Sequence, residues 1–205
     1  MNSIESYLLD SGFSWTLSKL LPYIFTLIIG IVLALIVKRL LKKSSFFLRL
    51  GVEILFFIIP FIVYFIYSPI YEADFSNNST MIVKTSFHKE LSGDKLVVLT
   101  IPNCPYCFEA IGKMKKLKER VPKIEIEYIV CISDSLNYKN DAQWYIDEAD
   151  GAISVSSAQD SKMMSELADH AFPTFILVED EKPLKKWNNN DFGVVALDEI
   201  ELHFK

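Results

Sequence analysis

Leu96-Val97-Val98-Leu99-Thr100-Ile101-Pro102-Asn103-Cys104-Pro105-Tyr106-Cys107 reads as a buried strand that runs directly into a helix, with two thiols at the junction. The continuous apolar run Leu96–Ile101 fits a central strand covered on both faces. From Cys107 onward, Ala110, Ile111, Met114, Leu117 and Val121 recur at helical spacing, and Pro122 stops the pattern. A helix beginning at Pro105 places the Cys104 thiol among unpaired backbone N–H groups at the positive end of the helix dipole. Both favour the thiolate. Proline is tolerated at a first helical position because its missing N–H has no intrahelical partner there. Cys107 lies one turn further on, within reach of a disulfide formed at Cys104. The chemistry implied is thiol–disulfide exchange, with Cys104 as nucleophile and Cys107 as resolving thiol.

Two other uses of the pair compete with this one. A structural zinc site needs four ligands, and Cys131, His88, His170 and His203 supply no second pair at metal spacing. No metal and no cofactor are expected. A purely structural disulfide closing so short a loop restrains the unfolded chain little.

The chain has 205 residues, 51% of them hydrophobic, with 21 basic and 26 acidic residues. The apolar content concentrates in two runs, Leu20–Val37 and Ile54–Tyr71, each about 18 residues long and near the minimum for a bilayer-spanning helix. Neither run has a polar face, so burial in a soluble core does not account for them. Glu5, Asp10 and Lys19 precede the first run and no small-residue cleavage pattern follows it. An anchor is expected rather than a cleaved leader. The expected organisation is an N-terminal segment (1–19, with an interfacial helix), a first span (20–37), a basic loop (38–49), a second span (50–71), a linker (72–80) and a domain (81–205). Residues 38–49 carry Lys38, Arg39, Lys42, Lys43 and Arg49 without an acid, which places this loop in the cytoplasm and the domain outside the cell membrane. Arg49 and Glu53 are one turn apart and can pair. All three cysteines lie beyond the spans, so electrons cannot cross through the anchor's own thiols.

Beyond the linker, Ile124, Ile126, Tyr128 and Val130 alternate with Glu125 and Glu127 as a strand does. Thr174–Val178 and Pro183–Trp187 form a second pair of strands about a turn at Glu179–Lys182, Asp191-Phe192-Gly193 closes the sheet, and Ala196–Phe204 is a final helix. Strands alternating with helices give an α/β sandwich. Lys113, Lys115, Lys116, Lys118 and Arg120 form a solvated basic face, and Cys131 is a buried core residue.

These residues match a known pattern. Cys-Pro-Tyr-Cys at a strand-to-helix junction, followed by Phe172-Pro173-Thr174 leading into a strand, resembles the thioredoxin-like superfamily over residues 81–205. The resemblance implies a thioredoxin-like sandwich and a cis peptide bond at Pro173 opposite the dithiol. It also implies that Phe172, Pro173 and Thr174 leave backbone free to bind an extended substrate. Pro105 and Tyr106 are similar to the glutaredoxin dipeptide, whose sites lie at about −200 to −230 mV against about −270 mV for thioredoxin. The chain departs from the pattern at Val98, where thioredoxins have a buried acid, and at Asn103, where they have tryptophan. The Gly-Gly-x-Asp-Asp glutathione motif is absent. Residues 132–171 form an insert with expected helices at Asp141–Ala149 and Ala158–His170, broken at Asp150-Gly151 and carrying an acidic surface.

The function expected is a membrane-tethered thiol–disulfide oxidoreductase acting outside the cytoplasm, in the reducing, oxidising or isomerising direction. Its partners are protein disulfide substrates, a separate membrane redox protein and the lipid bilayer, with no nucleic acid. The alternative is a redox-inactive module that holds peptides beside Pro173 or Cu(I) between Cys104 and Cys107, since soft thiolates select Cu(I).

Overall fold

The computed structural model describes residues 2–43, 45–82, 91–131, 138–180 and 182–205. His88, the first residues of the expected insert (132–137) and Glu181 of the expected turn lie outside the described residues, as does the side chain of Asp141. The chain divides into two compact units, Met1–Tyr71 and Glu72–Lys205.

The first unit is helical. Helix α1 (Ser3–Asp10) opens with a capping box: the Asn2 side chain accepts the Glu5 N–H at 2.8 Å, and the Glu5 carboxylate accepts the Asn2 N–H at 3.2 Å. Glu5 also pairs with Lys19 at 3.1 Å, both side chains being largely buried. Helix α2 (Trp15–Leu40) starts behind the Ser14 cap, and helix α3 (Phe46–Tyr67) follows. Both are long and apolar enough to cross a membrane. The helices begin earlier than the expected spans, at 15 rather than 20 and at 46 rather than 50; the first is fixed by the Ser14 side chain, which accepts the Leu17 N–H at 3.2 Å. The second stops at Tyr67 rather than 71. Ser68 precedes Pro69, whose ring disfavours helical backbone at the residue before it. Arg49 and Glu53 pair at 2.8 Å. Gly30 allows α2 and α3 to approach closely: a Cβ there would lie 2.7 Å from the Phe57 carbonyl oxygen.

The second unit is a six-stranded mixed sheet with helices on both faces. Its strands are β1 (Thr80–Met81), β2 (Lys95–Thr100), β3 (Glu125–Val130), β4 (Ser154–Ser157), β5 (Thr174–Glu179) and β6 (Lys182–Asn188). Its helices are α4 (Pro105–Arg120), α5 (Tyr138–Ala149), α6 (Ser161–Leu167) and α7 (Val194–Phe204). The order across the sheet is β1-β6-β5-β2-β3-β4. The three strands β2, β3 and β4 run parallel, while β5 is antiparallel to both β2 and β6. Every residue of β2 is buried, as the unbroken apolar run requires.

Alternation along β2 divides the core. Val97 and Leu99 join Ile129, Ile176 and Val178 against Met164 and Ala168, with Cys131 in the same cluster. Val98 and its register partner Tyr128 point to the opposite face. There Phe175 stacks on Phe192 at 3.7 Å, and Trp187 meets Phe192 edge-on. This is an α/β sandwich, a mixed central sheet flanked by helices.

Three expectations change. Residues 72–80 are packed into the second unit instead of linking it: a 3-10 turn spans Glu72–Phe75, Asn77 bridges to Phe192, and Thr80–Met81 pairs with β6. The insert contributes an edge strand, β4, and its second helix covers only Ser161–Leu167 rather than 158–170. Beyond that helix Asp169 and His170 take left-handed backbone, which ends it. The basic residues of α4 are not simply solvated. Lys115 donates to the Glu148 carbonyl, Lys118 to the Pro122 and Ile124 carbonyls, and Arg120 to Glu201.

Candidate active site

The dithiol stands where the central strand ends. After β2 the chain turns through Pro102 and Asn103, with Asn103 in left-handed backbone at φ 57°. Cys104 is then the N-cap of α4, its backbone extended at φ −88° and ψ 108°, with Pro105 in the first turn. Its Sγ accepts the Cys107 N–H at 3.2 Å, and its carbonyl accepts the Phe108 N–H at 3.1 Å. One donor that every helix start leaves unpaired is thus pointed at the sulfur. Cys104 and Cys107 are joined as a disulfide, with Cα atoms 5.2 Å apart. Cys104 is 7% exposed and Cys107 fully buried, so an incoming sulfur reaches Cys104 first. Tyr106, between the two cysteines, is 61% exposed.

The Phe172–Pro173 bond is cis. Leu99 is the register partner of Thr174, so the antiparallel β2–β5 pairing sets Pro173 beside the outgoing end of β2, at the same edge of the sheet as the dithiol. Pro173 and Thr174 are buried and Phe172 is half-buried. The Thr174 hydroxyl donates to the Ala171 carbonyl at 2.6 Å, which fixes the loop entering β5.

Val98 lies fully buried beneath the site, and Tyr128 lies beside it on β3. Burial, reinforced by Tyr145, pushes the Tyr128 phenol well above its usual range, and its hydroxyl has no hydrogen-bond partner among the described residues. The group stays neutral at physiological pH.

One contributor escaped sequence reasoning. Tyr145 of α5 is buried and donates its hydroxyl to the Ile101 carbonyl at 2.6 Å, three residues before Cys104. Its neighbour Trp144 stacks on Phe108 in the first turn of α4, with centroids 4.2 Å apart and planes 15° from parallel. In sequence these are two aromatics in an acidic insert, with nothing to connect them to a motif some forty residues earlier. Among the described residues no group of three or more His, Cys, Asp or Glu is placed to hold a metal ion.

No family model and no curated protein matches the chain. Among solved structures it is similar to a secreted Mycobacterium tuberculosis disulfide oxidoreductase homologous to E. coli DsbE, at 13% identity and a TM-score of 0.44, over 64% of this chain and 97% of that one. It is also similar to a thioredoxin-like protein from Bacteroides caccae, at 16% identity and a TM-score of 0.41, over 73% of this chain and 62% of that one.

Proposed function

We propose that the chain is a membrane-tethered thiol–disulfide oxidoreductase that exchanges disulfides with protein substrates outside the cytoplasm. The observation that carries this reading is the Cys104 sulfur, seated at the N-cap of α4 and bonded to the buried Cys107 beside Pro173.

In the reducing direction, the Cys104 thiolate attacks one sulfur of a substrate disulfide. That S–S bond breaks, a Cys104–substrate bond forms, and the displaced substrate sulfur takes up a proton. Cys107 loses its proton and attacks Cys104, which closes the internal disulfide and releases the second substrate thiol. Two electrons pass to the substrate and two protons end on its sulfurs. The oxidising direction is the reverse. The approach beside Phe172, Pro173 and Thr174 gives an extended substrate backbone a place to lie.

The tether is inferred from α2 and α3 together with the basic stretch between them, and Lys38, Arg39, Lys42 and Lys43 support the reading that this stretch is cytoplasmic. A separate membrane redox protein then sets the direction of electron flow, since the spans carry no cysteine.

Cys107→Ser tests the assignment. It should accumulate mixed disulfides at Cys104, while Cys104→Ser forms none and loses insulin-reducing activity. Full activity in Cys107→Ser overturns the roles. A reporter at the C-terminus that reads cytoplasmic overturns the topology.

A further inference from the structure

We propose that Tyr145 is a positioning residue of the dithiol site: from the inserted helix α5, its phenol clasps the carbonyl of Ile101, the first residue of the Ile101–Cys104 turn, and so holds the nucleophile's backbone at the head of α4. This rests on the reading of Cys104 as the nucleophile.

Proline at the second position of this turn and a residue with positive φ at the third form the pattern of a type II turn, in which the first carbonyl ordinarily takes the fourth N–H. Here the Tyr145 hydroxyl takes the first carbonyl instead. It donates to the Ile101 carbonyl at 2.6 Å. Asn103 stands at φ 57°, which non-glycine residues visit only at a cost, so an external clasp on the turn has something to hold.

The clasp is itself held in place. Ala142, Tyr145 and Ala149 form the buried face of α5 at helical spacing. Trp144 stacks on Phe108, and Lys115 of α4 donates to the Glu148 carbonyl at 3.0 Å. The phenol therefore sits at a fixed place relative to the first turn of α4. Burial pushes its ionisation above the usual range, although the Cys104 N–H opposes this, so at neutral pH it keeps the proton it donates. A phenylalanine would fill the same space. The hydroxyl is needed for the turn, not for packing.

The consequence falls on the reduced state. The Cys104 thiolate is stabilised by N–H groups of the first turn of α4, an effect confined to that turn and dependent on where the sulfur stands. A slack turn lets the sulfur drift, the reduced form loses stability, and the dithiol becomes more reducing.

The test compares full-length wild type with Tyr145→Phe in detergent, equilibrated with glutathione or dithiothreitol buffers. The variant should shift the equilibrium toward the disulfide by about tenfold, which is about 30 mV more negative. Its reduced form should be alkylated at Cys104 more slowly at neutral pH. A folded Tyr145→Phe whose equilibrium matches wild type overturns the proposal. If that variant fails to fold, Trp144→Ala, which loosens α5 but keeps the hydroxyl, should shift the equilibrium in the same direction by a smaller factor; no shift overturns the proposal. A wild type with no reversible couple overturns the reading of the site as well, so the two failures are distinct.

Discussion

Arg120, the last residue of α4, grips Glu201 of α7 with two hydrogen bonds of 2.8 Å each, Nε to one carboxylate oxygen and Nη2 to the other. Both side chains are mostly buried, at 12% and 6% exposure. The helix that carries the dithiol at its start is thus fastened at its end to the last helix of the fold. The forked geometry is one that arginine makes and lysine does not.

Removing one partner of such a pair leaves the other charge poorly solvated. Arg120→Ala should destabilise the second unit by about 3 kcal/mol, the lower end for breaking a buried pair, because Lys205 still reaches Glu201. Denaturant unfolding of the full chain, followed by tryptophan fluorescence, measures it. A loss under about 1 kcal/mol would mean the pair behaves like an exposed one.

Asn77 joins the stretch after the second span to the domain. Its side-chain carbonyl accepts the Trp187 indole N–H at 2.8 Å, and its amide donates to Glu199 at 2.8 Å. Asn77→Ala strands the indole N–H of a residue that is 1% exposed. A cost of about 2 kcal/mol is expected, as for a buried donor left without a partner. If residues 72–80 were only a linker, this substitution would leave the unfolding midpoint unchanged.

Gly193→Ala should be worse than its size suggests. A Cβ at this position would lie 2.3 Å from the Ala73 carbonyl oxygen and 2.6 Å from both the Asp74 oxygen and the Ser76 nitrogen. All three are backbone atoms, so the clash is relieved only by moving the 3-10 turn away from α7. We expect a loss of about 2 to 3 kcal/mol, in the range of overpacking. Wild-type stability in this variant would show that residues 73–76 do not sit against Gly193 in solution.

Glu199 links stability to acid. Burial pushes its carboxyl up, but hydrogen bonds from Lys185 and Asn77 and the charges of Lys185 and His203 outweigh it and bring the group below its usual value. A carboxyl depressed in the folded state stabilises fully above its unfolded value of about 4.3. That contribution fades as pH falls through the depressed value. Glu199→Gln should therefore cost stability at pH 6 and cost progressively less as the pH drops below about 4. Unfolding midpoints of the two proteins across that range should converge, and parallel curves would refute the linkage.

Legibility in the sequence followed burial. The continuous apolar run before Cys104 has only one way to be satisfied, in a covered strand, and the two-residue alternation from Ile124 to Val130 marks a strand with one face more open to solvent than the other. The edge strand Ser154–Ser157 shows no such pattern. Its only apolar residue is Val155, and it exists because β3 offers a partner. The polar stretch Ser76-Asn77-Asn78-Ser79-Thr80 reads as a linker by composition. Yet Asn77 uses that polarity to satisfy Trp187, a role that only the folded neighbour reveals. Cys104, Pro105 and Cys107 announce themselves through their spacing. Tyr145 does not, since its contribution is one hydroxyl aimed across space at a turn.

The placement of β4 has a consequence for anyone who would trim this protein. The stretch between β3 and β5 is not an ornament hung on a finished sheet, since it returns to pair with Glu127–Val130 and covers that flank. Cutting it away would leave a row of open amide and carbonyl groups, a template on which a second molecule's backbone can settle. A shortened version made for convenience should come out of the cell as aggregate.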